Sequence, residues 1–399
     1  MNNTKVQIAT ILKRGVEQIF PSADFLRSRL EKGEKLKIYA GIDPTGPTLH
    51  IGHAIVLKKL QQFQQGGHQV IFLIGDFTAQ IGDPTDKMAT RIQLTEEQVK
   101  KNLALYKKQA SVFINFNGKN AAKIVHNSSW LKKLNLKDII ELSSLVTVDQ
   151  MLKRDMFAKR TEEGKPIFIH EFMYPLLHGF DSVMLEVDVE IGGNDQMFNM
   201  LVGRDLLKKI KNKEKVAITM KLLADTTGKK MGKTEGNMVS LSDSAQEMFG
   251  KIMSWTDGMI VNGFELCTDV EESEIEVIKS SLLDSAVNPK DLKVRLAKEI
   301  VSTYHGKKAA DAAELDFINT FAKGDVPENL PEYTASKEVV LSQVLLEKGI
   351  VESIGEFKRL VKEGAITVDD GKKITDFNAV ISSTTIIKVG KRRFLKIVF

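Results

Sequence analysis

The chain has 399 residues, 42% of them hydrophobic and 27% charged, with one cysteine and a formal net charge of +5. That composition excludes a collagen-like, low-complexity or mainly disordered chain, and Cys267 alone can neither close a disulfide nor anchor a thiolate metal site. The length predicts two to three domains of roughly 100–200 residues each.

Lys5, Lys13, Arg14 and Glu17 interrupt the first apolar stretch. No window approaches the run of about 20 apolar residues that a membrane helix needs, so a soluble cytoplasmic chain is expected. Residues 5–31 place Val6, Ile8, Ile11, Leu12, Val16, Ile19 and Phe20 at helical spacing, which predicts one or two helices. An apolar run at 36–41 leads into the turn Asp43-Pro44-Thr45-Gly46-Pro47. A helix is predicted over 49–65, closed by Gly66-Gly67, and the continuous apolar run 69–75 predicts a strand buried on both faces. Strand, helix and strand in that order make a βαβ unit and hence a doubly wound α/β domain with a parallel sheet.

A second α/β passage follows, with a helix at 171–177, a strand at 184–191, Gly192-Gly193 and a helix at 196–210. Residues 243–325 read as helices. The last segment reads as helices at 339–348 and 354–363 and strands at 365–368, 384–389 and 394–398. The expected division is therefore α/β over 1–235, helical over 236–335, and a small α+β unit over 336–399.

Charge is unevenly spread. The last 63 residues hold 12 Lys+Arg against 8 Asp+Glu, while residues 1–336 hold 45 against 44. A basic tail is either a solvated surface or a contact for phosphate backbones, and charge alone does not decide between them.

Two motifs carry chemistry. In His50-Ile51-Gly52-His53 the histidines share a helix face at i and i+3, at a helix N-terminus whose unpaired N–H groups suit phosphate. Gly52 permits close approach of a ligand. A metal pair at this spacing is the alternative, but no third ligand stands nearby. The second motif is Lys229-Lys230-Met231-Gly232-Lys233-Thr234, three lysines in a Gly/Thr loop that would offer point charges to a polyphosphate. Either motif alone is common on protein surfaces.

In this order, about 180 residues apart, they resemble the HIGH and KMSKS signatures of class I aminoacyl-tRNA synthetases, with Gly232 where the second motif usually has serine. Tyr39-Ala40-Gly41-Ile42-Asp43-Pro44-Thr45, Ile81-Gly82-Asp83-Pro84, Tyr174-Pro175-Leu176-Leu177 and Gly192-Gly193-Asn194-Asp195-Gln196 narrow the resemblance to the bacterial tyrosyl-tRNA synthetase family. The tail, with 362–368 and Lys391-Arg392-Arg393, is similar to the S4 RNA-binding domain that this family often carries.

The resemblance implies activation of L-tyrosine by ATP to tyrosyl-adenylate, with release of pyrophosphate, then transfer to the 3′ end of tRNA(Tyr). It implies that Tyr39 and Asp181 hold the substrate phenol, and that Asp83, Tyr174 and position 178 hold its ammonium. Position 178 departs from the family, with His178 where glutamine is usual, so this contact is expected to weaken as the imidazole protonates. Gln196 would meet the substrate carboxylate and Asp195 the ribose. Gly41, Asp43, Gly52, Gly193, Met231, Lys233 and Thr234 would line the ATP site. His50, His53 and Thr45 would act at the phosphates, while Lys230 and Lys233, with Mg2+, neutralise the pyrophosphate. No dedicated protein metal site is expected.

Lys208 and Lys209 are candidate contacts for the tRNA acceptor arm, and Lys391, Arg392 and Arg393, with Lys388 and Lys396, for its backbone. The family is dimeric through an insertion in the catalytic fold, here about 85–165. The nearest rivals are a tryptophanyl-tRNA synthetase, against which Tyr39 with Asp181 suits a phenol and not an indole, and an inactive RNA-binding relative, which would have no use for His50, His53, Lys230 and Lys233 together.

Overall fold

A computed structural model describes residues 5–84, 94–224, 238–283, 287–322, 330–335, 338–351, 353–368, 372–390 and 393–399. Its contacts divide the chain into two units, residues 1–314 and 315–399.

The first unit is built on six strands: β1 Val16–Phe20, β2 Lys37–Ile42, β3 Gln69–Ile74, β4 Lys123–His126, β5 Val189–Gly193 and β6 Val216–Met220. They lie in the order β1-β6-β5-β2-β3-β4, parallel throughout except for the antiparallel β1–β6 edge. β2 and β3 align from Lys37↔Gln69 to Ile42↔Ile74, joined by the helix Ile51–Gln65 as the βαβ pattern predicts. The core strands are nearly continuous apolar runs because helices cover both faces. All five residues of β6, for example, are buried.

The order in which successive strands are added to the sheet reverses between β2 and β5, which are themselves parallel. Strands β3 and β4 extend one way and β6 and β1 the other. In open α/β sheets that reversal leaves a crevice at the carboxyl ends of the strands, where ligands bind. The turn 43–47 follows β2 and Gly192-Gly193 closes β5, so the two segments singled out in the sequence flank one crevice.

The structure corrects several readings. Residues 16–20 are a strand, not part of a helix. The helix Lys5–Lys13 ends before Gly15, whose φ of 65° turns the chain, and β1 then pairs with β6. Ser22 caps the next helix, Ala23–Glu31. The strand read at 184–191 begins only at Val189, because Met184 and Leu185 complete the helix Ile169–Leu185, which stops at a left-handed Glu186. β4 and β6 were not foreseen: β4 is short and β6 lacks alternation. Between β3 and β5 the described chain also forms the helices Glu96–Leu103, Tyr106–Ala110, Leu136–Ser143, Val148–Leu152 and Asp155–Glu162. The helices Ala245–Met253, Ile260–Cys267, Glu272–Ser281 and Pro289–His305 belong to the first unit by contact.

The second unit carries β7 Glu332–Thr334, β8 Val339–Val340, β9 Ile366–Val368, β10 Lys372–Lys373, β11 Val380–Ile381, β12 Thr385–Val389 and β13 Arg393–Val398. One sheet runs β10-β9-β12-β13-β7 and a second pairs β11 with β8. The helices Leu341–Glu347 and Ile354–Lys362 bury Leu345, Phe357 and Val361 in one cluster with Ile366, Ile387, Leu395 and Ile397, so this unit has its own core.

Candidate active site

The turn after β2 is held from the flanking helices. The Asn102 amide donates to Pro44 O, the Tyr106 hydroxyl to Gly46 O at 2.7 Å, and Leu49 N to Gln109 Oε1 at 2.7 Å. This delivers His50 as the N-cap of the helix Ile51–Gln65, where the two histidines form a capping box. Gly52 N donates to His50 Nδ1 and His50 N to His53 Nδ1, each at 3.1 Å. An imidazole nitrogen that accepts a backbone N–H carries no proton, so in the neutral rings the proton sits on Nε2. Both histidines thus offer a donor edge at a helix N-terminus. Glycine is required at 52, since a Cβ there would stand 2.9 Å from the His50 ring.

The backbone just beyond the lysine motif is tied to the same place. Ile51 N donates to Val239 O and Leu241 N to Leu49 O. Lys230, Met231, Lys233 and Thr234 themselves lie outside the described residues, as do Lys391 and Arg392.

Six of the candidate residues for tyrosine gather on the crevice walls. Asp43 accepts from Thr78 Oγ1 at 2.7 Å and from the Tyr174 hydroxyl at 2.9 Å. Loss of solvation raises its carboxyl to about 6 against the effect of those two donors. A Cβ on Gly75 would fall 1.9 Å from Asp43 Oδ1, so β3 must end in glycine for the carboxylate to turn inward. Asp83 accepts from the Gln196 amide at 2.7 Å and from Arg154 at 3.1 Å, and Gln196 Oε1 accepts from Asn199 at 2.8 Å. Asp195 packs against Gly193, where a Cβ would lie 2.5 Å from its carboxylate.

The helix Ile169–Leu185 sets Tyr174, His178 and Asp181 about one turn apart on one face. Asp181 is buried and accepts from Trp130 Nε1 at 2.8 Å and Asn127 Nδ2 at 3.2 Å. Burial pushes its carboxyl up to about 7, with His178, Asn127 and Trp130 opposing. Tyr39, also buried, has its hydroxyl 2.9 Å from Ser182 Oγ. His178 Nε2 bonds Glu190 Oε1 at 2.7 Å, and against burial the Glu190 charge raises the imidazole above its ordinary value.

Thr45 and Gly41 are exposed at the crevice rim. Lys208 and Lys209 stand exposed in the last turn of the helix Met197–Lys211, where Lys209 donates to Leu145 O. Arg393, in the second unit, is engaged there by Glu356 at 2.9 Å and Ile350 O at 2.6 Å.

Asn127, Trp130, Arg154, Ser182, Glu190 and Lys215 were missed from sequence. One signal was available: Glu190 is a carboxylate in an otherwise apolar buried strand, a placement that demands a partner.

The chain matches the family model described as tRNA synthetases class I (W and Y) over residues 31–322. It is 46% identical to a tyrosine–tRNA ligase of Carboxydothermus hydrogenoformans over 402 residues, covering 98% of this chain and 97% of that one. With the tyrosine–tRNA ligase of Mannheimia succiniciproducens it shares 44% identity over 399 residues, 100% and 99% of the two chains. A solved structure of a C-terminally truncated mitochondrial tyrosyl-tRNA synthetase from Coccidioides posadasii superposes with a TM-score of 0.62 at 25% identity, covering 78% of this chain and 92% of that one. Full-length identity at this level, on a doubly wound sheet with the His50–His53 box at its switch point, places the chain in the tyrosyl-tRNA synthetase family of class I aminoacyl-tRNA synthetases.

Proposed function

We propose that this chain ligates L-tyrosine to tRNA(Tyr) in two steps, through tyrosyl-adenylate. The observation that carries the reading is the convergence, at one switch point, of a buried acceptor for a phenol and a helix N-terminus with two imidazole donors. The substrate carboxylate is itself the nucleophile, attacking the α-phosphorus of ATP in line, so no side chain need be one. The protein then acts by positioning and by stabilising charge as it builds on the phosphates.

In this reading Asp181 accepts a hydrogen bond from the phenol and Tyr39 meets the phenolic oxygen. Asp83, Tyr174 and His178 surround the ammonium, and Gln196 meets the carboxylate. Asp195 takes the ribose, and Gly41, Asp43, Gly52 and Gly193 line the nucleotide. His50, His53 and Thr45 donate to the phosphates. ATP enters as its Mg2+ complex, and Lys230 and Lys233, with Met231 and Thr234 in the same loop, meet the pyrophosphate end.

The test is pyrophosphate exchange into ATP, expected with tyrosine and not with tryptophan or phenylalanine; exchange driven by tryptophan would reject the assignment. In the same assay Lys233→Ala should slow adenylate formation by about 10²–10³ with little change in tyrosine affinity, because its contact belongs to the transition state. Equal losses in affinity and rate would remove Lys233 from that role.

We further assign the protein to the cytoplasm as a homodimer whose tail binds tRNA. The insertion supports the dimer: Leu136 and Ile140 share a helix face and are 76% and 60% exposed, with Val148 at 65% and, just beyond the insertion, Ile169 at 80%. The tail's separate core and its excess of cations support the RNA contact, through Lys391 and Arg392 with Arg393 at their edge. Lys208 and Lys209 would meet the acceptor arm. A chain ending at residue 336 should sediment as a dimer, exchange pyrophosphate at the parent rate and charge tRNA poorly. A monomer would end the dimer reading, and undiminished charging would end the tail's.

A further inference from the structure

Behind the wall that carries Tyr39 and His178 lies a buried ionic line that the two-step mechanism does not use. Lys215, the residue before β6, donates to Ser182 Oγ at 2.8 Å and to Glu190 Oε2. Glu190 Oε1 takes His178 Nε2, and Ser182 Oγ stands 2.9 Å from the Tyr39 hydroxyl. Lys215 and Ser182 have 0% exposure, Tyr39 1% and Glu190 2%. The parallel register sets Tyr39 directly beside Glu190. Room for the ammonium comes from Gly203, where a Cβ would stand 2.8 Å from Lys215 Nζ. A buried ion pair is seldom more stabilising than an apolar pair of the same volume, so stability alone is a weak reason for this one.

Counting protons shows what the line does. An ammonium only donates, so Ser182 Oγ must accept from Lys215. The single serine proton is left for Tyr39 at 2.9 Å or for Glu190 Oε2 at 3.4 Å, and only the shorter contact lies in the usual O–H···O range. That distance favours Ser182 as the donor to Tyr39. The tyrosine hydroxyl keeps its own proton, since burial and the Glu190 charge raise it well above its ordinary value. With its oxygen accepting from Ser182, that proton can turn to Glu190, its register neighbour, or to the phenolic oxygen of a bound substrate. An ionised Asp181 accepts a hydrogen bond from the substrate's phenol, and the phenolic oxygen, its proton so engaged, can accept from a donor.

We propose that Lys215 is a positioning residue for amino-acid specificity: by donating to Ser182 and neutralising Glu190, it orients the Tyr39 hydroxyl to donate to the phenolic oxygen of the substrate. This rests on the reading that Tyr39 and Asp181 hold the phenol.

The test is the ratio of kcat/KM for tyrosine to that for phenylalanine in pyrophosphate exchange, using the full chain. The charge-balanced double variant Lys215→Met, Glu190→Gln should lower the ratio about tenfold, through a higher KM for tyrosine; any change at His178, which meets the ammonium common to both substrates, cancels in the ratio. A purely structural role would change both substrates alike and leave the ratio where it was. Ser182→Ala, which keeps the ion pair, should shift the ratio in the same direction and carries the test should the double variant not fold. A ratio within twofold of the parent in a folded variant overturns the proposal. Tyr39→Phe separates the two layers. If it leaves the ratio unchanged, the phenol-site reading itself fails. If it lowers the ratio while the Lys215 and Ser182 variants do not, only the positioning role fails. Adding Lys215→Met and Glu190→Gln to Tyr39→Phe should lower the ratio no further.

Discussion

Replacing His50 and His53 by alanine is expected to slow tyrosyl-adenylate formation by about 10²–10³ for each imidazole lost, while tyrosine binds in the absence of ATP as it does to the parent. Both Nδ1 atoms are committed to backbone N–H groups, so Nε2 of each ring carries the proton and presents a preformed donor. Such donors matter most as charge develops on the phosphates. The same substitutions also remove the capping box, a loss of about 1 kcal/mol in stability. That is small beside the roughly 3–4 kcal/mol of barrier at stake for each donor. The helix Ile51–Gln65 should survive it, because Ile51, Ile55, Leu57, Leu60 and Phe63 anchor it in the core. Rapid-quench measurement of adenylate formation, with equilibrium dialysis of tyrosine, separates the two effects. A variant with the parent rate constant and a lowered Tm would make the histidines caps and nothing more.

The second large effect is expected at Asp181. Asp181→Asn should lower kcat/KM for tyrosine by roughly 10–100-fold and leave that for phenylalanine nearly unchanged, the loss of one hydrogen bond to a charged acceptor. The pH profile adds a sharper test. With its carboxyl raised to about 7, Asp181 is an anion only above that pH, so kcat/KM for tyrosine should fall as pH drops through 7. His178, raised by Glu190, gains charge in the same direction and works against the substrate ammonium, while Asp43 titrates lower, near 6.

The variants separate these groups. Asp181→Asn should abolish the fall near 7 and keep the one near 6, whereas His178→Gln should keep both. If His178→Gln alone flattens the profile, the imidazole is the titrating group and Asp181 is not. Stability runs the other way. The folded state holds a proton on Asp181 between about 4 and 7 that the unfolded chain has lost, so the fold loses stability as pH rises through that window. His178 contributes with the same sign, fully below its ordinary value of 6.5 and lost as pH passes its raised one. The Asp181 contribution should therefore run opposite to tyrosine affinity, and urea titrations of the parent against Asp181→Asn at pH 5 and pH 8 isolate it from His68 and Lys59, which burial lowers and which act with the opposite sign.

What could be read from the chain alone was local. The turn 43–47, the histidines three residues apart, the glycines that close β3 and β5, and the βαβ order all depend on neighbours within a few residues, where spacing dictates which groups share a face. The family followed from those segments, and with it a list of site residues. The sequence also showed that charge is concentrated in the tail, so the net +5 describes no single surface.

Only the tertiary structure decided which side chains hold one another. Asp181 meets Asn127 and Trp130 from about 50 residues away, Asp83 meets Gln196 across 113, and Tyr39 reaches Ser182 across 143. β6 became a strand because all five of its residues bury within the sheet, and β1 because it pairs along the edge β6 leaves open, which local spacing did not reveal. Most of all, Glu190 and Lys215 are in sequence two charges 25 residues apart with nothing local to pair them. Buried charges acquire meaning only through the partners that compensate them, and those partners are set by sheet register and helix packing, not by distance along the chain.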